Sequence, residues 1–257
     1  MKKWVGLLAA LLLAGCTVQP KEGDSGVTAT ASNSESRQRA RAFTELASAY
    51  YARAKYKVAL DELRKAITAD NRYGPAYNIY GQIYMDLAED KLADENFRRA
   101  IELDRSDSDA HNNFGWFLCT RGRYDEGMEQ FGAALRNPLY TQPELAMANA
   151  GQCAEMKGDL ALAEANLVKS LKLQPDNPKT MLKLAGVYFR QGKLMDTQRL
   201  LARHDELAPP SAESLWLSVR LERKQGDRAQ EAAYGLQLRK NFPDSNEARL
   251  LLTGQYE

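Results

Sequence analysis

The chain has little of what catalytic sites are built from. Its 257 residues include only two histidines and three cysteines. His111 and His204 fall in different segments of the pattern described below, and His111 occupies a position filled elsewhere by Phe, Tyr or Met. No G-x-S-x-G elbow, P-loop, H-E-x-x-H pair or Cys–His zinc spacing occurs. These absences predict a protein that is not an enzyme and needs no cofactor, metal or small-molecule substrate. An excess of charge is missing as well. Lys and Arg number 35 against 34 Asp and Glu, a net charge of +1, which gives no electrostatic reason to expect nucleic acid as a partner. The acidic run Asp104-Arg105-Ser106-Asp107-Ser108-Asp109 lacks the glycine and distal glutamate of an EF-hand loop. Its Asp and Ser residues suit the start of a helix instead.

Long apolar runs are also absent, apart from one at the start. Lys2 and Lys3 precede the run Val5 to Leu13, broken only by Gly6. It falls short of the roughly 20 apolar residues needed to cross a bilayer, but matches the n- and h-regions of a secretory signal peptide. Leu13-Ala14-Gly15-Cys16 follows directly and resembles a bacterial lipobox, which implies cleavage before Cys16 and lipidation of that cysteine. Thr17 stands where an Asp would resemble an inner-membrane retention signal, so the resemblance implies the outer membrane, with the body in the periplasm. Loss of Lys2 and Lys3 leaves 33 basic residues against 34 acidic ones. Cys119 and Cys153 would then share an oxidising compartment. They are candidates for a disulfide, or for two small buried apolar side chains.

The expected organisation is a signal peptide over 1–15, a lipidated N-terminus and flexible tether over 16–39, and a folded body over 40–257. The tether reading rests on composition. Residues 23–34 have no aromatic side chain and almost nothing large and apolar, too little to offset chain entropy by burial.

The body is periodic. Ala54, Ala88, Gly122, Gly158, Gly192 and Gly226 recur at spacings of 34, 34, 36, 34 and 34. Seven residues before them stand Ala47, Gly81, Gly115, Gly151, Ala185 and, as the exception, Val219. Large residues flank the small ones, as in Phe43/Leu46/Ala47/Tyr50 and Tyr77/Tyr80/Gly81/Tyr84. A second block follows each, as in Ala59/Leu63/Ala66 and Ala93/Phe97/Ala100, and prolines stand at Pro175, Pro209 and Pro243. This pattern resembles the tetratricopeptide repeat (TPR), a helix–turn–helix unit of 34 residues. The implied fold is all-α, a TPR solenoid of about six repeats near 40–73, 74–107, 108–143, 144–177, 178–211 and 212–245. Residues 246–252 are apolar enough to cap it. Two added residues fall in the loop Arg136 to Pro143, and Thr197 and Glu231 replace the alanine that opens the second block in repeats one, two and four.

In a TPR array the first helix of each repeat lines a concave groove that receives a peptide or helix. Counting from the aligned small residues, that groove is expected to carry Tyr51, Asn78, Ile79 and Gln82. It continues through Met85, Asn112, Asn113 and Trp116, then Cys119 and Asn149. The aromatic members are the natural hot spots, and every one of these positions can equally serve packing between helices. Some TPR co-chaperones clamp a C-terminal carboxylate with Lys and Asn. Asn149, Lys179 and Lys183 match three of those positions, but Asn112 and Trp116 replace the other two, so a complete clamp is not expected.

A lipobox, a short polar tether and six TPRs together resemble the type IV pilus pilotin lipoproteins of the PilF/PilW family. The resemblance includes Ala76 to Gly81 and the stretch from Asn112 to Cys119. It implies an adaptor that binds the type IV pilus secretin and promotes its outer-membrane localisation and multimerisation. A TPR lipoprotein scaffold or regulatory subunit of another envelope complex, in outer-membrane barrel assembly or cell-wall synthesis, is the alternative.

Overall fold

The computed structural model describes residues 25–256, with side chains from Asn33 onward. The expected signal peptide and lipidated Cys16 lie outside the described residues. Within them are thirteen helices and no strand. Six consecutive pairs make the six repeats: α1 (Ser25–Tyr51) and α2 (Tyr56–Ala69); α3 (Gly74–Asp86) and α4 (Asp90–Leu103); α5 (Ser108–Thr120) and α6 (Tyr124–Leu135); α7 (Pro143–Lys157) and α8 (Leu160–Leu173); α9 (Pro178–Arg190) and α10 (Leu194–Leu207); α11 (Ala212–Gln225) and α12 (Arg228–Asn241). A last helix, α13 (Asn246–Thr253), packs on α11 and α12.

Each pair is joined by the same hinge, and the hinge is what fixes the period. All six marker residues, from Ala54 to Gly226, have a positive φ. The next residue then donates its N–H to the carbonyl five positions back: Lys55 to Tyr50, Glu89 to Tyr84, Arg123 to Leu118, Asp159 to Ala154, Lys193 to Tyr188 and Asp227 to Glu222, all at 2.9–3.0 Å. This bond satisfies a carbonyl that the helix end would leave open, as in a Schellman motif. Glycine adopts the left-handed conformation without cost and alanine does not, yet the first two repeats use alanine.

The helix pairs close around small residues. A Cβ built on Gly81 would lie 2.7 Å from the Phe97 ring, on Gly115 2.9 Å from Phe131, and on Gly151 2.6 Å from Leu167. In repeats two, three and four the glycine of the first helix thus makes room for the large residue of the second. Repeat six inverts the pair. Val219 stands in the small position, and Gly235 stands where Leu63, Phe97, Phe131, Leu167 and Leu201 stand in the earlier repeats. Leu251 of α13 comes within 3.3 Å of a Gly235 Cβ, so the capping helix fills the space that a large side chain fills elsewhere. The core is correspondingly a string of small clusters, each shared by neighbouring helices. A solenoid is stabilised in this way, repeat by repeat.

The flexible tether expected over 16–39 is helical in its second part, because α1 begins at Ser25. From Asn33 to Arg39 the side chains are almost all exposed, and the first buried one is Ala40. Burial therefore starts at Ala40, while the helix runs back beyond it. A helix nucleated by packing extends cheaply, one hydrogen bond per residue, through a segment with Gly26 as its only strong breaker and no proline.

Candidate partner-binding groove

The first helices of successive repeats touch one another: α1 with α3, α3 with α5, α5 with α7, α7 with α9 and α9 with α11. Among the described residues the second helices make no such contacts with one another. The first helices therefore form the inner layer, and their free faces line a concave groove.

In its N-terminal half the groove carries a ladder of amides. Asn113 Nδ2 donates to Asn78 Oδ1 at 3.1 Å, Asn112 Nδ2 to Asn113 Oδ1 at 3.4 Å, and Asn149 Nδ2 to Asn112 Oδ1 at 3.0 Å. Four of the groove residues named from the sequence are thus tied together across α3, α5 and α7. Asn78 and Asn112 are buried, while Asn113 and Asn149 remain half-exposed. Each amide satisfies part of the next, which makes the ladder a helix-to-helix fastening as well as a polar floor. Tyr51 is half-buried at the groove's end and its hydroxyl donates to Asp86 Oδ2 at 2.9 Å. Burial, and then that carboxylate, push the Tyr51 phenol well above its ordinary range. Ile79 packs against the first cluster and Met85 against the cluster around Phe97. Gln82 and Trp116 are half-exposed.

Trp116 rests on a disulfide. Cys119 and Cys153 are bonded, with Cα atoms 5.5 Å apart, and they join α5 to α7 across 34 residues. The pair packs with Phe131, Ala150 and Trp116. Repeat three accommodates it by a local exception. The second helix of repeats one, two and four opens with Ala59, Ala93 and Ala163, but here Gly127 stands, and a Cβ on Gly127 would collide with the Cys119 sulfur. His111 lies outside the groove proper. It is buried, with Nδ1 on Gln130 Oε1 at 2.7 Å and Nε2 on the Arg105 carbonyl at 3.1 Å, so both ring nitrogens tie α5 to neighbouring segments.

Beyond Asn149 the groove widens. A hollow of about 860 Å³ lies between α7, α9 and α11, walled by Leu145, Ala148, Leu182, Lys179, Lys183 and Glu213, among others. His204 is on its wall, in the position of Ala66, Ala100 and Ala134. The three partial-clamp residues Asn149, Lys179 and Lys183 meet here, although Lys183 is paired with Glu213 at 2.9 Å. Gly186 in the middle of α9 has nothing within 4 Å of where its Cβ would be. Leu182, Arg190, Trp216 and Arg220 line the continuation, and none of these four was singled out from the sequence. For three of them the signal was present: Leu182 and Trp216 stand at the offset of Asn112 and Arg220 at that of Trp116, whereas Arg190 matches neither.

Among the described residues no group of His, Cys, Asp or Glu is arranged to hold a metal ion, and no helix is long and apolar enough to cross a membrane.

Comparison with known proteins agrees with this geometry. Residues 74–107 and 96–129 match the tetratricopeptide repeat family. The type IV pilus assembly protein PilF of Pseudomonas aeruginosa PAO1 is 29% identical over 241 residues, covering 93% of this chain and 94% of that protein. The crystal structure of PilW, a widely conserved type IV pilus biogenesis factor, superposes with a TM-score of 0.78 at 31% identity, over 83% of this chain and 98% of that one. The structure of Pseudomonas aeruginosa PilF gives 0.75 at 27% identity, over 87% and 99%. Repeat number, hinge geometry and similarity along nearly the whole length lead to one assignment: the chain belongs to the PilF/PilW family of TPR proteins of type IV pilus biogenesis.

Proposed function

We propose that the protein is an outer-membrane pilotin, a lipid-anchored, non-catalytic adaptor whose concave groove captures a subunit of the type IV pilus secretin. The observation that supports this reading most is the similarity to PilF over 93% of the chain, joined to an open groove on the inner face of the solenoid. Acylation of Cys16 would hold the body at the membrane. One acyl chain binds only marginally, whereas two or more give a stable anchor. Captured subunits would then be concentrated at one surface, and tethering alone raises their effective concentration enough to favour a multimeric ring.

The test is a strain lacking the gene. Inner and outer membranes are separated and the heat- and detergent-resistant secretin multimer is followed. The reading expects the multimer to be lost, or its monomer to remain in the inner membrane, with rescue by the wild-type gene and not by Cys16→Ala. A multimer formed normally in the outer membrane of the deletion strain would sink it.

A further inference from the structure

The whole chain is close to neutral, but the C-terminal half of the groove is not. Three hollows follow one another along α9 and α11. The 860 Å³ hollow leads through the gap lined by Lys183, Gly186 and Trp216 to a third of about 620 Å³, walled by Phe189, Arg190, Arg220, Arg223, Lys224 and Tyr256. Together they carry six cations against three carboxylates, those of Glu144, Glu155 and Glu213. Lys183 pairs with Glu213 at 2.9 Å, Arg190 with Glu155 at 3.2 Å, and Arg223 with Glu231 at 2.8 Å. Among the described residues, Lys179, Arg220 and Lys224 have no acidic partner within ion-pair distance.

Arg220 is the most constrained of these. Its Nε donates to the Tyr256 carbonyl at 2.8 Å, and its guanidinium lies 4.6 Å from the centre of the Phe189 ring. Lys224 Nζ lies 5.2 Å from the same ring. Burial, and then the nearby Arg190, depress the Arg220 pKa. A partly desolvated cation with other cations beside it is stabilised by an anion brought against it. From Lys179 to Arg190 the track is about 16 Å long at 1.5 Å per helical residue. An extended chain at roughly 3.3 Å per residue covers that in about five residues. Leu182 and Trp216 give the middle of the track an apolar floor. A flat bilayer does not enter such a concavity, whereas an extended chain lies along it.

We infer that the C-terminal half of the groove is the seat of an acidic, extended segment of a partner protein. Its carboxylates meet Lys179 at one end and Arg220 with Lys224 at the other, and an apolar side chain sits over Leu182 and Trp216 between them. The inference rests on the reading of the concave face as the partner's seat and does not depend on that partner being a secretin.

The experiment uses the full chain purified in detergent and two labelled peptides of about eight residues, long enough to overhang the track. One alternates Asp and Glu with Leu; in the other, Asn and Gln replace the acids. The acidic peptide is expected to bind saturably, to weaken as salt is raised, and to bind at least about tenfold more tightly than its amide counterpart. The double variant Lys179→Glu with Lys224→Glu changes two exposed side chains that have no ion pair among the described residues. It is expected to keep its circular dichroism and to lose about tenfold or more in affinity for the acidic peptide. Equal binding of the two peptides, no binding of either, or full-strength binding by the double variant would overturn the inference. Displacement by inorganic phosphate well beyond that by chloride at equal ionic strength would assign the cations to phosphate headgroups, and would overturn it too. The two claims fail separately. A secretin that assembles without the gene leaves the peptide result standing, and an unbound peptide leaves the secretin assay untouched.

Discussion

The two halves of the groove are built on one repeat and differ in almost everything else. Between α3 and α7 the inner helices are fastened to one another by the Asn78–Asn113–Asn112–Asn149 ladder and by the Cys119–Cys153 disulfide. The polar groups there largely satisfy each other. Between α7 and α11 the inner helices stand further apart, the floor is apolar, and three cations have no acidic partner among the described residues. Glycine shows the contrast most directly. Gly81, Gly115 and Gly151 are small because a neighbour occupies the space, whereas Gly186 is small with nothing beside it. One half uses its polar side chains to hold the solenoid together, while the other leaves Lys179, Arg220 and Lys224 without an acidic partner among the described residues.

The comparison can be broken or sharpened by substitutions. The largest effect should come from removing the disulfide. Replacing Cys119 and Cys153 together by serine opens a link across 34 residues, and chain-entropy reasoning puts the loss at about 3–4 kcal/mol. Denaturant unfolding measures it, and hydrogen exchange should show the loosening in α5 to α7 before α9 to α11. Uniform loosening would mean that the halves are not mechanically distinct.

Next in size is a pair of identical changes with opposite sign. Gly81→Ala drives a methyl into Phe97 and should cost about 1–3 kcal/mol. Gly186→Ala meets nothing and should stabilise α9 by up to about 1 kcal/mol through helix propensity. Thermal and denaturant midpoints moving the same way in both variants would contradict the packing difference.

Smaller still are the hinges. Ala54 and Ala88 hold φ of 54° and 58°, so Ala54→Gly and Ala88→Gly should each stabilise by about 0.5–1 kcal/mol, after allowing for the extra freedom of unfolded glycine. Gly192→Ala should destabilise by a similar amount, and a null result in both directions would remove the hinge from the account. The least effect is expected from Lys183→Ala. Its ion pair with Glu213 is partly solvated and should contribute less than about 1 kcal/mol to stability. A larger loss in unfolding experiments would show the groove wall to be structural after all.

Much of this was legible in the sequence, and for a physical reason. The hinge demands a left-handed residue after each first helix, so Gly122, Gly158, Gly192 and Gly226 recur at a fixed interval that a reader can count. The close helix approach demands small residues at Gly81, Gly115 and Gly151, and these carry the same interval. What depends on one side chain meeting another across repeats was not legible. The amide ladder joins residues 35–37 positions apart, and nothing local announces that Asn112 will be buried and Asn113 half-exposed. Cys119 and Cys153 stood as two readings until α5 and α7 were seen side by side, although Gly127 in an alanine position was a trace of the crowding there. The inversion of Val219 and Gly235 made repeat six look weak, because the pattern lists each position separately and cannot show Leu251 completing the pair. The start of α1 escaped because a polar extension of a packed helix has no apolar period to reveal it. Of the cationic half, Lys179 and Lys183 were legible as partial-clamp positions, but nothing local places Arg220 and Lys224 on one wall with Phe189.

The central claim is that the concave face receives the partner, and photo-crosslinking in piliated cells tests it most directly. A photoreactive residue is placed at Trp116 and Lys179 on the inner helices α5 and α9, and at the exposed Glu95 and Lys169 on the outer helices α4 and α8. The account predicts crosslinks to the secretin from the two inner positions and none from the outer two. Crosslinks from Glu95 or Lys169, with the inner positions silent, would move the interaction to the convex face and contradict it.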